Sequence, residues 1–242
     1  EGETNITNAA KEPEIVDLAN CLNKMGAKVE GAGTSNIKIT GVAKLKDISY
    51  TVMPDRIEAG SLLCMVAVTG GKVKLNNVLA DNIIPVINKL EESGCRIEKQ
   101  KNGIYLEAPK KLKALDIKTM PYPGFPTDMQ SVFASMLTVA KGTSVIVENI
   151  FESRYKYMSE LMKMGAKITI EGKTAVIKGV RKLYGAKVAS TDLRGGAALV
   201  TAGLAAKGRT VVTNIEYILR GYEKLDEKLR KLGAKITVKE GE

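Results

Sequence analysis

The sequence predicts an α/β (α+β) fold built from a repeated strand-helix-strand-helix-strand-strand unit, with apolar helices gathered inside and sheets outside. Three observations lead to this prediction. Glycines recur at the predicted ends of helices, short strands run from a glycine to an asparagine, and apolar helices follow an aspartate. Each feature returns at a nearly constant spacing, which indicates an internal repeat.

The first feature is a glycine that ends an amphipathic helix and precedes a strand. Glycine is favoured at this position because it adopts the left-handed conformation at little cost. The successive spacings are 68, 71 and 68 residues. The four copies are Gly26 in MGAKV, Gly94 in SGCRI, Gly165 in MGAKI and Gly233 in LGAKI.

The second feature is a predicted strand that comes before each of these helices, from a glycine to an asparagine six, six, seven and six residues later. In the first copy, residues 11–25 place apolar side chains at helical spacing, and two more strands are predicted around Val29 and at residues 37–42. The four strands are Gly2 to Asn8, Gly71 to Asn77, Gly142 to Asn149 and Gly208 to Asn214.

The third feature is an aspartate before an apolar helix, and only the last three copies have it. These helices are apolar over a wide face, which is typical of helices packed inside a protein. The aspartates and the apolar stretches are Asp55 with residues 57–68, Asp128 with residues 129–140, and Asp192 with residues 193–206.

The first copy lacks this front half, and that difference predicts a domain boundary. We expect residues 1–52 to close a preceding domain and residues 53–242 to form a second domain of three complete units. The alternative is one domain with a shortened first repeat, because terminal repeats are often atypical.

The chain of 242 residues has no histidine and a formal net charge of +10. Without histidine, Ser-His-Asp and Cys-His catalysis and zinc sites built on imidazole are excluded. Separately, we expect no metal site and no cofactor. Acid–base chemistry must then use carboxylate, Lys, Tyr or Cys. The charge favours anionic ligands. Nucleic acid is one such ligand, but tryptophan is absent and aromatic residues make up 5%, so small phosphorylated ligands are the sharper prediction.

The three cysteines, Cys21, Cys64 and Cys95, lie far apart and lack CxxC spacing. They fit reduced cytoplasmic thiols or small buried side chains. No apolar run approaches the ~18 residues of a membrane span. The first residues also lack the basic and apolar regions of a secretory signal. We therefore expect a cytoplasmic protein that does not associate with membranes.

The stretch PYPGFPTDMQ, residues 121–130, is predicted to hold a carboxylate in place. Its prolines predict a rigid, extended connector. Thr127 or Asp128 is then expected to supply a side-chain oxygen for the free N–H groups of the following helix. Asp128 is accordingly either a helix cap or a functional carboxylate at the end of a stiff loop.

Four stretches are long and distinctive: PYPGFPTDMQ, ENIFESRYKYMSELMKMGAKI, STDLRGGAALVTAGLAAKG and LRGYEKLDEKLRKLGA. They resemble stretches of the bacterial UDP-N-acetylglucosamine enolpyruvyl transferases (1-carboxyvinyltransferases). The resemblance covers essentially the whole chain, and the related shikimate-pathway enzyme, which shares the fold, fits these stretches less well. It implies two inside-out α/β barrel domains of three repeats each, with an active site between them. It also implies that this chain is the C-terminal portion of such an enzyme.

The resemblance implies a reaction as well. The enolpyruvyl group of phosphoenolpyruvate moves to the 3-hydroxyl of UDP-N-acetylglucosamine, and phosphate is released. This is the first committed step of peptidoglycan synthesis in the cytoplasm, and it serves cell wall biogenesis, cell shape and cell division. Two alternatives stay open: a basic repeat protein that binds nucleic acid, and a non-catalytic paralogue of the transferase.

The resemblance also implies site residues. Asp128 contacts the sugar 3-hydroxyl and is the candidate general base, and Ile150 contacts the nucleotide sugar through its backbone. Arg154 and Arg194 are expected to bind substrate, and Arg220 reaches towards phosphoenolpyruvate when the domains close. An arginine fork can hold a carboxylate or phosphate through two hydrogen bonds. All three arginines are predicted near helix starts, where the helix dipole disfavours them, although a solvated surface arginine is the alternative.

The chain also departs from the family's pattern. The family's N-terminal Lys-Asn pair and its mobile glycine-rich loop with a reactive cysteine are not found in this sequence, and Cys64 and Cys95 are predicted to be buried. Asp55 and Arg56 are expected to form a hinge or interface pair, and Asp192 a helix cap. We expect the isolated chain to be inactive unless a companion N-terminal fragment supplies the cysteine loop.

Overall fold

A computed structural model describes residues 2–239 of the protein. The first copy of the repeat forms a small unit of one helix and an antiparallel sheet, in which the third strand lies in the centre and Ile6 faces Ile37. The strands and helix that the sequence predicts for this copy are confirmed. They are β1 (Glu3–Thr7), α1 (Pro13–Lys24), β2 (Lys28–Glu30) and β3 (Asn36–Thr40).

The second copy begins directly with a buried helix, and its three strands form an antiparallel sheet in the order β4-β6-β5. The leading strand of the predicted unit is absent, because residues 41–55 contain no helix or strand. The backbone N–H of Met53 instead donates to Asp17 in α1. The elements are α2 (Arg56–Thr69), β4 (Lys72–Asn76), a 3₁₀ turn (Ala80–Ile83), α3 (Ile84–Glu92), β5 (Arg96–Gln100) and β6 (Gly103–Glu107).

The third copy contains every element of the predicted unit. Its four strands form one sheet in the order β7-β8-β10-β9, with β7 parallel to β8 and the other pairs antiparallel. The elements are β7 (Ile117–Lys118), α4 (Thr127–Leu137), β8 (Thr143–Val147), α5 (Tyr157–Lys163), β9 (Lys167–Glu171) and β10 (Thr174–Lys178).

The fourth copy has two parallel strands, β11 and β12, and its predicted closing strands are not formed within residues 234–239. A strand needs a hydrogen-bonded neighbour, and residues 234–239 pair with none in the part of the chain that the structure describes. The elements are β11 (Lys187–Ala189), α6 (Leu193–Ala205), β12 (Val211–Thr213), α7 (Glu216–Leu219) and α8 (Leu225–Lys231).

The three aspartate-led helices, α2, α4 and α6, pack against one another at the centre of the core, inside the sheets. Leu63, Phe133 and Ala198 are fully buried. Helices α4 and α6 are also joined by two hydrogen bonds, because Ser131 donates to the carbonyl oxygen of Arg194 and Ser135 to that of Ala198, at 2.8 and 2.7 Å. The predicted arrangement of inner helices and outer sheets is confirmed.

Equivalent glycines and asparagines of the repeat also adopt similar backbone conformations. All four helix-ending glycines have positive φ angles, between 94° and 102°. At the ends of the Gly-to-Asn strands, Asn8, Asn77 and Asn214 have φ angles of 52°, 57° and 55°. Asn149 is the exception, and its side chain donates instead to the carbonyl oxygen of Thr119, at 3.1 Å. Asn149 ends the one copy of the strand that is a residue longer.

The connector before α4 is a tight turn, so the prediction of an extended stretch was wrong. The Gly124 N–H donates to the Pro121 carbonyl oxygen at 2.8 Å, and the Tyr122–Pro123 bond is cis. A Cβ atom at position 124 would lie 2.5 Å from the Cβ atom of Met120. Glycine is therefore required where the turn closes.

Candidate functional site

Asp128 does not cap its helix, which excludes the simpler of the two interpretations of this residue. The residue before α4 is Pro126, and no side chain caps the first N–H groups. The corresponding aspartates of the other copies, Asp55 and Asp192, each accept two backbone N–H bonds, at 2.7–3.0 Å. The cap predicted for Asp192 is confirmed, whereas the one predicted for Thr127 or Asp128 was wrong.

The Asp128 carboxylate lies between two arginines from different parts of the chain. Arg154, in the loop before α5, donates to Oδ1 at 2.6 Å. Arg194, in the first turn of α6, donates to Oδ2 at 2.9 Å. The arginine side chains are only 17% and 13% exposed, and the aspartate side chain is 37% exposed. The structure thus brings together three of the five predicted site residues.

This cluster sets the ionisation of the carboxyl group. Partial burial by itself would raise the pKa of Asp128. The charges of Arg194 and Arg154 and their hydrogen bonds outweigh burial, so the pKa of Asp128 lies below its ordinary value. Asp128 is therefore an ionised hydrogen-bond acceptor throughout the neutral pH range.

Aromatic rings flank both guanidinium groups. The Arg154 guanidinium lies 4.7 Å from the centre of the Phe151 ring, and that of Arg194 lies 5.6 Å from the Tyr222 ring. Rings at this distance attract a cation and restrict its side chain. The Nη1 atom of Arg194 is buried and has no hydrogen-bond partner within residues 2–239.

Ile150 follows β8 and is exposed next to this cluster, with 38% of the residue accessible. Its backbone N–H donates to Oε1 of Glu148 at 2.8 Å. The backbone group of Ile150 that remains for a ligand is consequently the carbonyl oxygen, which accepts hydrogen bonds. Ile150 and Asp128 are linked through Glu148, because Thr127 donates to the second carboxylate oxygen of that residue at 2.9 Å.

Arg220 is not part of the Asp128 cluster. Its side chain is exposed and makes no hydrogen bond or ion pair within the described residues. The prediction that it lies near a helix start was wrong, since it follows the last residue of α7. The neighbouring Gly221 lies against Leu193, and a Cβ atom there would come within 2.7 Å of it. Arg220 therefore lies beside the start of α6 with a free guanidinium group.

Asp55 and Arg56, which were predicted to form a hinge or interface pair, make separate contacts. Asp55 caps α2, and Arg56 forms an ion pair with Glu14 of α1 at 2.8 Å. The Arg56 side chain is 9% exposed. This ion pair connects the first copy of the repeat to the second.

The three cysteines differ in their burial. Cys64 and Cys95 are buried, as predicted, and Cys21 is half-buried. Burial raises the pKa of the Cys64 thiol well above its ordinary value and also raises the pKa of Cys95. A thiol that resists ionisation is a poor nucleophile, so neither residue has the properties of a reactive cysteine.

Two surface grooves lie elsewhere. One of about 440 Å³ is lined by Lys89, Asp116 and Lys118, and one of about 250 Å³ by Asp81 and Lys99. Within residues 2–239, no group of His, Cys, Asp or Glu side chains has the arrangement of a metal site. In the same part of the chain, no helix is both long and apolar enough to cross a bilayer.

The comparison with known families decides the relationship. The family described as EPSP synthase (3-phosphoshikimate 1-carboxyvinyltransferase) matches residues 1–229. The chain belongs to this family. Within the family, the curated relatives carry the name that the sequence motifs predicted. A UDP-N-acetylglucosamine 1-carboxyvinyltransferase from Caldanaerobacter subterraneus is 58% identical over 98% of the chain, and one from Thermodesulfovibrio yellowstonii is 55% identical over 97%.

The solved structures place the chain in the enolpyruvyl transferase fold. The enolpyruvyl transferase NikO from Streptomyces tendae matches 97% of the chain with a TM-score of 0.87 and 26% identity. An EPSP synthase from Acinetobacter baumannii matches 96% with a TM-score of 0.74 and 22% identity. The chain spans 57% of the length of its curated relatives and 56% of these two structures, which is consistent with the expected C-terminal portion of an enzyme of this family.

Sequence reasoning missed one functional candidate, Glu148. This residue is 1% exposed and carries a carboxylate that joins Thr127 to the Ile150 loop. The signal that could have found it is the strand spacing. Only in the third copy does the asparagine come seven residues after the glycine, so its strand end has to differ from the other three.

Proposed function

We propose that this chain is part of a UDP-N-acetylglucosamine 1-carboxyvinyltransferase. The enzyme transfers the enolpyruvyl group of phosphoenolpyruvate to the 3-hydroxyl of UDP-N-acetylglucosamine. A carbon–oxygen bond forms between the sugar and the enolpyruvyl group, and the carbon–oxygen bond to phosphate breaks. The observation that carries the proposal is the Asp128 carboxylate held between Arg154 and Arg194, all three being residues that the family motifs single out.

The geometry supports a particular task for Asp128. Its two oxygens each accept one arginine hydrogen bond, which leaves lone pairs for a ligand hydroxyl group. Because the arginines lower its pKa, Asp128 is a weak base but a permanent acceptor. We therefore propose that the main task of Asp128 is to orient the sugar 3-hydroxyl. Any proton that it takes from this hydroxyl is taken as the oxygen attacks and becomes more acidic.

The arginines supply positive charge for an anionic substrate. Arg194 places its positive charge beside Asp128, and Arg220, beside α6, has an exposed side chain with no ion pair in the part of the chain that the structure describes. Phosphate and carboxylate groups are the ligands that arginine forks hold best. In the proposed enzyme, Arg154 and Arg194 bind substrate, Ile150 contacts the nucleotide sugar, and Arg220 approaches phosphoenolpyruvate on closure.

The proposal includes the rest of the protein. Residues 1–52 complete one domain and residues 53–242 form the second, and the Arg56–Glu14 ion pair joins them. In this proposal the reactive cysteine belongs to a companion N-terminal part, without which the chain is inactive, because Cys64 and Cys95 are buried and Cys21 lies in helix α1 and not in a glycine-rich loop. The function proposed for the whole enzyme is in cytoplasmic peptidoglycan synthesis, and therefore in cell wall biogenesis.

The test is phosphate release by the full-length protein with both substrates. Asp128→Ala is expected to lower turnover by about 10²–10⁴, the range of a general base or an equivalent orienting group. The matched control is Asp81→Ala, an exposed carboxylate in the first turn of a 3₁₀ helix, and its turnover is expected to equal the wild type. Normal turnover of Asp128→Ala, or none in the wild type, would contradict the proposal.

A further inference from the structure

We propose that Glu148 is a positioning residue that sets the distance between Asp128 and the nucleotide-sugar contact at Ile150. The inference rests on the function proposed above and extends it to a residue that does not touch substrate. It is carried by the contacts of one buried carboxylate with three segments of the third repeat unit.

The Glu148 side chain is surrounded by donors. Oε1 accepts hydrogen bonds from the Thr119 hydroxyl and from the backbone N–H of Ile150, both at 2.8 Å, and from that of Phe151 at 3.2 Å. Oε2 accepts from the Thr127 hydroxyl at 2.9 Å. One carboxylate thus joins the end of β7, the first residue of α4 and the loop after β8.

This arrangement is unusual for a buried charge. Glu148 is 1% exposed and forms no ion pair with a Lys or Arg side chain of the described residues. Burying a carboxylate without a cation is costly, and hydrogen bonds must replace its water. A carboxylate has enough lone pairs for four donors, two of which here are backbone groups. Its contacts therefore connect three chain segments and do not form an ion pair. We call Glu148 and its four hydrogen bonds the bracket.

Two of the bracketed segments carry the site. Thr127 directly precedes Asp128, and Arg154 comes from the loop that begins at Ile150. When Glu148 holds both segments, Asp128 and the Ile150 carbonyl oxygen keep one separation before any ligand arrives. Binding of a ligand that contacts both groups then costs little conformational entropy, because the two groups are already ordered. This is the benefit of preorganisation. Releasing either segment should weaken nucleotide-sugar binding without affecting phosphoenolpyruvate directly.

Substitutions at Glu148 test the bracket. Glu148→Ala removes every acceptor, and in the full-length protein we expect UDP-N-acetylglucosamine to bind about tenfold to a hundredfold more weakly, the effect of a small misplacement. In Glu148→Gln, the amide oxygen can still accept from Thr119, Ile150 and Phe151. Its NH₂ group can donate to Thr127, whose hydroxyl also accepts. Affinity close to the wild type is expected for Glu148→Gln.

A second pair of variants avoids loss of the buried carboxylate. Thr127→Val removes only the hydroxyl that connects α4 to Glu148, and Thr127→Ser restores it. We expect weakened binding in the first and recovery in the second. The control is Glu152→Gln, an exposed residue of the same loop with no hydrogen bond in the described part of the chain, and its affinity should not change.

The experiment measures the dissociation constant of UDP-N-acetylglucosamine by calorimetry, the KM for phosphoenolpyruvate, and hydrogen exchange at Ile150 and Phe151. The inference is supported if Glu148→Ala and Thr127→Val bind the sugar nucleotide more weakly and the KM for phosphoenolpyruvate is unchanged. Amide exchange should be faster in Glu148→Ala alone. Glu148→Gln and Thr127→Ser should restore the affinity for the sugar nucleotide.

Three results would overturn the inference. They are wild-type affinity in Thr127→Val, a Glu148→Gln defect as large as that of Glu148→Ala, or an equal loss of affinity for both substrates. If Glu148→Ala does not fold, the Thr127 pair decides. A wild-type protein that fails to bind UDP-N-acetylglucosamine contradicts the proposed function instead, and exchange at Ile150 and Phe151 then tests the bracket by itself.

Discussion

Replacing Asp128 with alanine should destabilise the protein as well as inactivate it. The substitution removes the carboxylate that accepts hydrogen bonds from Arg154 and Arg194 and leaves two largely buried positive charges without a partner. A hydrogen bond to a charged group contributes about 1.5–3 kcal/mol. Because the Asp128 side chain is 37% exposed, solvent screens part of this contribution, and we expect a net loss of about 1.5–3 kcal/mol for both bonds together.

The assay is thermal unfolding of the 242-residue chain. A loss of 1 kcal/mol lowers the Tm by about 2–4 °C for a protein of this size, so a decrease of about 3–12 °C is expected. Asp81→Ala is the control, since that carboxylate is exposed and has no side-chain partner in the described residues, and its Tm should equal the wild type. A coupling energy between Asp128→Ala and Arg154→Leu in a double-mutant cycle would assign the loss to the ion pair.

The stabilisation of the folded protein by Asp128 should also depend on pH. The pKa of Asp128 is lowered in the folded protein, so its contribution is fully present above the unfolded pKa of about 3.9 and is lost as the pH falls through the lower folded value. The Tm difference between wild type and Asp128→Ala should therefore be constant from pH 5 to pH 8. An unchanged or higher Tm in Asp128→Ala at pH 7 would refute the reasoning.

Two further predictions concern the cysteines and Arg220. At pH 8, a thiol reagent should modify the half-buried Cys21 of the folded chain and reach Cys64 only on unfolding, because burial raises the pKa of the Cys64 thiol; rapid labelling of Cys64, located by mass spectrometry, would contradict its burial. Arg220→Ala should leave the Tm of the chain within ~1 °C of the wild type, because exposed side chains without partners contribute little to stability. In the full-length protein it should raise the KM for phosphoenolpyruvate or lower turnover, and wild-type kinetics would exclude a role in the reaction.

The repeat explains which parts of the fold could be predicted from the sequence. Gly26, Gly94, Gly165 and Gly233 mark helix ends because their backbone conformation is costly for other residues, so a local rule was sufficient. The inner helices were also predictable, since their apolar faces are too wide for a surface helix. The missing strands at residues 41–55 and 234–239 were not, because strand formation depends on a partner elsewhere in the chain.

The candidate site was also only partly predictable from the sequence. Asp128, Ile150, Arg154 and Arg194 were predicted as site residues through motifs, but the ion pairs that join Asp128 to two arginines depend on how three segments pack. The cap expected for Asp128 was wrong because the arginines occupy both carboxylate oxygens.

Glu148 was overlooked for a related reason. A glutamate at the end of a strand is ordinarily solvated, and only tertiary packing surrounds this one with hydroxyl and backbone donors. Its four hydrogen bonds come from residues up to 29 positions away in the sequence. The longer Gly-to-Asn spacing marks this strand end as different, but it does not show what the Glu148 side chain contacts.

The most direct test of the account is a crystal structure of the full-length protein with UDP-N-acetylglucosamine bound. The account predicts that the sugar 3-hydroxyl lies within about 2.6–3.2 Å of the Asp128 carboxylate, the range of a group that orients or deprotonates it. It also predicts that the Ile150 carbonyl oxygen faces the nucleotide sugar while its N–H remains on Glu148. A sugar nucleotide bound away from Asp128, with the carboxylate still enclosed by Arg154 and Arg194, would contradict the central claim.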